Sequence, residues 1–289
     1  MKTYNDLYLE ARRSLRATGV SSHDLEARLI VSLASGKTRE EYVAASRFYV
    51  TDPEIERDVN DMVSRRIKGE PVAYIVGEWE FYGLPMTVNE SVLIPRVDTE
   101  LLAEVSINLL KRRGWQTRVL DLCAGSGCVG LAIAANIPNC RVVLADISSE
   151  ALAVCRANML KNKLNRQVTA IDVDVTEPAP TLLGSFDVIV SNPPYIPTQD
   201  LQNLDPSVRD FEPIGALDGG PDGLYIIRAI VTNWSPLLKP SGNLAIECGI
   251  GQAEAVREIM DDFGYKDIKI HTDTGGIDRV VVGTLKFSN

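Results

Sequence analysis

Histidine is nearly missing from this 289-residue chain, which holds only His23 and His271. That scarcity argues against a histidine-centred hydrolase or a histidine-rich metal site, and no metal is expected. Cysteine is sparse as well. Cys123, Cys128, Cys140, Cys155 and Cys248 are odd in number and never fall in a C-x-x-C pair. This argues against zinc or a disulfide framework, and for reduced thiols in the cytoplasm. Apolar runs never approach ~18 residues, so a membrane span is not expected. The segment from Met1 to Asp6 lacks the apolar stretch of a signal peptide. Positive charge is in deficit, 30 Lys and Arg against 39 Asp and Glu for a net charge of −9. A non-specific hold on phosphate backbones is therefore disfavoured, and direct nucleic-acid binding is not expected. Repeats and low-complexity tracts are absent. What is present is ordinary: 45% apolar and 24% charged residues, in a chain long enough for about two domains.

The most informative stretch is Asn192-Pro193-Pro194-Tyr195. It follows Phe186 to Ser191, an apolar, β-branched run that reads as a buried strand. Neither proline has an N–H to give a ladder, so the strand must stop at Asn192 and present a stiff turn at its carboxyl end. Open α/β sheets bind ligands there. An amide and an aromatic ring suit a planar NH2 group, with oxygens accepting its hydrogens and the ring covering its π face. The tetrapeptide resembles the signature of methyltransferases acting on a nitrogen conjugated to a π system, either adenine's amine or a glutamine amide.

Two periods divide the chain. Residues 1–70 carry helical signals. Tyr4, Leu7, Tyr8, Ala11 and Leu15 fall on one helical face. Ser21-x-x-Asp24 and Thr38-x-x-Glu41 have the form of capping boxes. Thr51-Asp52-Pro53-Glu54 predicts a fourth helix with Val59, Met62, Val63 and Ile67 inside. This part predicts a small helical domain for recognition or stability. Residues 71–97, rich in glycine, proline and aromatics, predict a β-hairpin connector. From residue 98 to 289 short apolar runs alternate with helical stretches, which predicts a doubly wound, mostly parallel α/β sheet. Strands are expected at 118–122, 141–145, 168–173, 186–191, 243–247 and 280–285, the last an antiparallel edge strand.

A second motif runs from Val119 to Gly130. It is a strand, a glycine turn and a helix start, with Gly125, Gly127 and Gly130 satisfying G-x-G-x-x-G. Asp146 follows at the end of the next strand, placed to accept ribose hydroxyls. The pattern is shared with dinucleotide sites. Charge separates the two readings. Asp121, Asp146, Asp174 and Glu247 all fall at or near predicted strand ends, on one rim, where a pyrophosphate would be repelled. A sulfonium and an ammonium would be attracted, by on the order of a few kcal/mol per contact at an effective dielectric near 20. S-adenosylmethionine is the expected cofactor.

The chemistry fits the residues. An amide nitrogen is a poor nucleophile, so most of the catalysis must come from placement. Acceptors that bind an NH2 better as it turns pyramidal supply the remainder. The Asn192 side-chain oxygen and the Pro193 carbonyl can act so, with Pro194 stiffening the turn and Tyr195 packing on the substrate. No strong base is needed.

Further segments carry a more specific likeness. Gly69-Glu70-Pro71-Val72-Ala73-Tyr74-Ile75, Glu80-Phe81-Tyr82-Gly83-Leu84, Leu93-Ile94-Pro95-Arg96-Val97-Asp98-Thr99-Glu100 and Phe211-Glu212-Pro213 with Ala216-Leu217 resemble motifs of the peptide chain release factor glutamine methyltransferases of the HemK/PrmC type. The likeness spans nearly the whole chain. It implies a seven-stranded Rossmann-like methyltransferase domain, with residues 1–70 recognising substrate. It implies methyl transfer to the glutamine of the Gly-Gly-Gln motif of class I release factors; the enzyme is expected in the cytoplasm, with its oligomeric state open and a monomer favoured. Carried over, Cys123, Ala124, Gly125, Ser126, Gly127, Asp146, Asp174, Val175 and Asn192 would contact S-adenosylmethionine. Asn192, Pro193, Pro194 and Tyr195 would hold the glutamine amide and form the catalytic turn.

Four positions depart from the family pattern: Val97 for proline, Cys123-Ala124 for Gly-Thr, and Val175 for an aromatic. Two alternatives stay open, an adenine-specific nucleic-acid methyltransferase and a non-catalytic S-adenosylmethionine-binding adaptor. The first would need a basic face and a target-recognition module. An intact Asn192 to Tyr195 turn speaks against the second.

Overall fold

The computed structural model describes residues 1–114 and 116–286, the Arg39 side chain excepted. The chain divides into two compact units, Met1–Glu78 with Asp205–Phe211, and Trp79–Leu204 with Glu212–Asn289.

The first unit is helical: α1 (Tyr4–Ala17), α2 (His23–Ala34), α3 (Arg39–Ala45), α4 (Pro53–Ile67) and α5 (Val72–Val76). Tyr4, Leu7, Ala11 and Leu15 of α1 are buried as their spacing predicts, with Ala27, Ile30 and Val31 of α2 and Val59 and Val63 of α4. Tyr8 is only half-buried, and its hydroxyl donates to Asp24 at 3.0 Å. Ile67, expected inside, is exposed on the last turn of α4. The Thr38 and Glu41 box forms, and Asp52 caps α4 ahead of Pro53. The Ser21 and Asp24 box does not, because α2 starts at His23 and the Asp24 carboxylate pairs instead with Arg12 at 2.5 Å. A box that went unread, Thr3 with Asp6, opens α1. Such reciprocal caps satisfy amide donors that have no partner within the helix. Buried Glu26 is neutralised by Arg66 at 2.6 Å. The Phe211 ring lies against Gly69, so a segment from late in the chain completes this unit.

In the second unit β1 (Glu78–Phe81) and β2 (Leu84–Thr87) form a two-stranded sheet, turned by Tyr82 and Gly83, both at positive φ. There follow α6 (Glu100–Lys111), β3 (Thr117–Leu122), α7 (Cys128–Asn136), β4 (Cys140–Asp146), α8 (Ser149–Lys161), β5 (Val168–Asp172) and β6 (Phe186–Ser191). The short α9 (Pro206–Arg209) lies in the segment grouped with the first unit. Next are α10 (Tyr225–Trp234), β7 (Leu238–Glu247), α11 (Ala253–Asp262), β8 (Tyr265–Thr272) and β9 (Asp278–Leu285).

The sheet is seven-stranded, ordered β5-β4-β3-β6-β7-β9-β8. The five strands from β5 to β7 are parallel, while β9 runs antiparallel to both β7 and β8. This is the doubly wound sheet that the alternation predicts. One expectation needs correcting: β9 is antiparallel but is not the edge, because β8 lies outside it. Lys266, Asp267, Lys269 and His271 interrupt the apolar pattern of β8 and hide it from a periodicity reading. The same charges protect an exposed edge from pairing with other chains.

From β3 the chain winds outward through β4 to β5, then crosses back to place β6 against the other side of β3. Strand order reverses between β3 and β6. A crevice opens at the carboxyl ends of these two strands, where doubly wound sheets hold ligands. The glycine loop follows β3 and the Asn192 turn follows β6. The topology thus brings together two motifs about 70 residues apart, with Leu122 facing Ser191 across the ladder.

Candidate active site

The glycine loop is tightly held. Cys123 has φ 57° and Gly125 φ 55°, both left-handed, so the chain turns sharply out of β3. For a non-glycine residue that conformation costs roughly 1–2 kcal/mol, and several bonds hold it. The Gly125 N–H donates to Asp146 Oδ2 at 2.8 Å, and the Ala124 N–H to the Ala145 carbonyl at 3.1 Å. Cys155 Sγ lies 3.1 Å from the Gly125 carbonyl, and Asn158 Nδ2 donates to the Ser126 carbonyl at 2.9 Å. Gly130 lies in the first turn of α7, where a Cβ would stand 2.3 Å from Leu144 Cδ2 and 2.9 Å from Asp121 Oδ2. Only glycine lets helix and strand approach so closely. The departure to Cys123 at the loop start is therefore accommodated by the tertiary contacts.

At the end of β6 the Ser191 hydroxyl donates to the Leu122 carbonyl at 2.8 Å, tying the two loops together. Asn192 Nδ2 donates to Thr99 Oγ1 at 3.1 Å. The Tyr195 ring leans on Gly249 and its hydroxyl reaches Glu247 Oε1 at 3.5 Å. Gln252 Nε2 donates to the Tyr195 carbonyl at 2.9 Å and fixes the far side of the turn.

A cleft of about 330 Å³ occupies the switch point. Of the residues expected in the site, Cys123, Ala124, Gly125, Ser126, Asp146, Asp174, Val175, Asn192 and Pro194 line it. Gly127, Pro193 and Tyr195 stand behind this lining. Gly127 caps α7 at positive φ, close against Leu144. Sequence reading assigned no role to Arg96 or Thr99, which also line the cleft. Their signal was the Leu93 to Glu100 motif itself, read only as a family mark. Glu212 anchors that motif by accepting from the Ile94 N–H at 3.2 Å and from Arg96.

The electrostatics follow from burial. Asp121 is buried in β3 and its pKa is pushed up to about 7, chiefly by desolvation, with the Gly130 N–H opposing and Asp146 adding. Glu247 at the end of β7 is also raised to about 7 by burial, opposed by Thr99 and Arg279. Asp146 and Asp174 remain partly exposed. Burial, and then the charge of Asp146, pushes the Cys123 thiol well above its usual range, which makes it a poor nucleophile. The Tyr195 hydroxyl is likewise raised, by burial and then Glu247, and stays protonated. The cleft therefore offers acidic and amide acceptors, and the one of these raised to about 7, Asp121, is engaged by the Gly130 N–H.

Comparisons with known proteins agree with this arrangement. Residues 97–204 match the model of the "Methyltransferase small domain", and residues 6–77 that of the "PrmC N-terminal domain". The chain is 42% identical over 277 residues to a release factor glutamine methyltransferase of Geobacter sulfurreducens, covering 95% of this chain and 94% of that relative. It is 38% identical over 275 residues to the corresponding protein of Caulobacter vibrioides, covering 94% and 93%. Among solved structures, a methyltransferase from Pyrococcus furiosus superposes with a TM-score of 0.50 at 17% identity, over 79% of this chain and 100% of that one. That last likeness speaks for the fold alone.

Proposed function

The chain belongs to the release factor glutamine methyltransferase family, and from that membership and the cleft's geometry we propose how its residues act. The enzyme transfers a methyl group to the side-chain amide nitrogen of a glutamine in a peptide chain release factor. On our reading the acceptor is the glutamine of the Gly-Gly-Gln motif in class I factors. S-adenosylmethionine supplies the methyl group on a positively charged sulfur.

The cleft suits that cofactor. It presents the carboxyls of Asp121, Asp146 and Asp174 and a loop whose Gly125 leaves open space for a ligand. A pyrophosphate would meet carboxylates here, whereas a cation meets complementary charge. Asp146 is placed to accept hydroxyl hydrogens, while the Cys123 to Gly127 loop, Asp174 and Val175 would hold the rest of the molecule. Asn192 supplies an amide oxygen, and the Pro193 carbonyl a second acceptor, for the glutamine NH2. Pro194 keeps the turn rigid, and Tyr195 supports it from behind. These acceptors gain strength as the nitrogen becomes tetrahedral, so they favour the transition state over the ground state.

The helical unit, residues 1–70, carries no reacting group and is read as the part that recognises the protein substrate. Among the described residues no helix is long and apolar enough to cross a membrane, and all five cysteines are free. A cytoplasmic location is proposed from the release-factor substrate that the names of its relatives give.

The observation carrying this reading is that strand reversal brings the acidic glycine loop and Asn192 into one cleft. Mass spectrometry of a purified release factor incubated with the protein and S-adenosylmethionine tests it. One added methyl on the glutamine of Gly-Gly-Gln is expected. An unmodified glutamine, with cofactor bound, would refute the assignment.

A further inference from the structure

Asn192 can serve as an acceptor only if its oxygen, not its NH2, faces the substrate. A side-chain amide is nearly symmetric in shape, so packing alone does not choose between its two faces. Hydrogen bonding must choose. The Asn192 Nδ2 donates to Thr99 Oγ1 at 3.1 Å. A hydroxyl can accept in one direction while it donates in another. Thr99 is almost wholly buried at the start of α6, and so is Glu247 at the end of β7, one residue beyond the Ile246 that pairs with Ser191. Glu247 Oε1 receives the Tyr195 hydroxyl, while Oε2 is buried with no partner in hydrogen-bond geometry. The Thr99 hydroxyl is the strongest of the influences opposing the burial cost of that carboxylate. A buried acceptor left open costs free energy, and a hydroxyl hydrogen can rotate to meet one.

We propose that Thr99 is a positioning residue for Asn192: its hydroxyl gives its proton towards the Glu247 carboxylate and so can only accept from the Asn192 NH2, which leaves the Asn192 oxygen facing the cleft. An ionised carboxylate accepts and never donates. In that ionised state, which Glu247 reaches as pH rises through about 7, it imposes one direction on the chain of hydrogen bonds running from Glu247 through Thr99 to Asn192. Tyr195, donating to the other carboxylate oxygen, is held by the same group. Both side chains of the turn are thus oriented from a single buried acid that does not line the cleft. The proposal deepens the methyltransferase reading and rests on it.

Thr99→Val keeps the shape and removes the hydroxyl. Its kcat for release factor methylation should fall by about 10- to 100-fold, the range seen when a group that orients a ligating side chain is lost. Cofactor affinity by calorimetry and thermal midpoint should change little. Thr99→Ser should recover most of the lost kcat. Glu247→Gln can donate to Thr99 through its own NH2, which reverses the chain and offers the Asn192 NH2 to the substrate. Its kcat should fall as well, with cofactor binding retained. A folded Thr99→Val enzyme with wild-type kcat overturns the proposal, as does a loss that Thr99→Ser fails to restore. If wild-type protein itself leaves the release factor unmethylated, the functional reading fails instead, so the two failures are distinguishable.

Discussion

The Asp146 carboxylate at the end of β4 accepts the Gly125 N–H at 2.8 Å, so one side chain both pins the glycine loop and faces the cleft. Its other oxygen accepts from the Ser148 N–H at 3.0 Å. Loss of this carboxylate therefore removes a ligand contact and the support of the loop together. Asp146→Ala should weaken S-adenosylmethionine binding by well over about tenfold, with a smaller effect on kcat at saturation, because these contacts serve ground and transition states alike. Asp146→Asn, which keeps an acceptor for Gly125, should bind more tightly than Asp146→Ala. Calorimetry decides, and equal affinity in all three proteins would show that Asp146 does not meet the cofactor.

Asn192→Ala should lower kcat by ~10²–10³, the usual cost of deleting one preorganised group that acts on the transition state. The fold should survive, since Asn192 is only partly buried and its side chain bonds to Thr99 at the cleft. Circular dichroism and calorimetric cofactor binding should match wild type. A near-normal kcat in a folded variant sinks the role.

Gly130→Ala should destabilise the protein by about 1–3 kcal/mol, as overpacking of a close contact does. The new Cβ would stand 2.3 Å from Leu144 Cδ2, so the Leu144 side chain must turn aside or β4 and α7 must separate. Asp121, whose Oδ2 accepts the Gly130 N–H, would shift with them. Urea denaturation measures the change; an unaltered midpoint would mean that the helix has room to spare.

The buried acids give stability a pH dependence of definite sign. Asp121 has a folded-state pKa of about 7, above the ~3.9 of an unfolded chain. Folding therefore favours the protonated form. The contribution is fully present below the unfolded value and is lost as pH rises through about 7. Glu247, also raised to about 7, has the same sign. The urea midpoint of the unliganded enzyme should fall from about pH 5 to about pH 8. Asp121→Asn, which keeps the acceptor but cannot titrate, should flatten the slope. Parallel wild-type and variant curves would show that Asp121 does not contribute.

In the helical unit Phe48 and Tyr49 are 68% and 61% exposed. Exposed aromatics at this density suit a protein partner. Phe48→Ala with Tyr49→Ala should raise the KM for intact release factor several-fold while leaving the methylation of a short Gly-Gly-Gln peptide unchanged. Equal losses on peptide and protein would place the effect in the catalytic unit instead.

The sequence by itself determined the fold class, the strands flanking the cleft and both loop motifs. These features are local: the prolines after Ser191 stop a strand, and the glycines after Leu122 open a turn, whatever surrounds them. It also carried the family likeness through Leu93 to Glu100 without saying what those residues do. Tertiary structure decided the rest. That Thr99 meets Asn192 across 93 positions in the chain, that Asp205–Phe211 joins the helical unit, and that β8 rather than β9 forms the sheet edge all depend on contacts between distant segments. The pKa values of Asp121 and Glu247 were equally out of reach, because desolvation depends on what the whole fold packs around a carboxylate, and no local pattern records it.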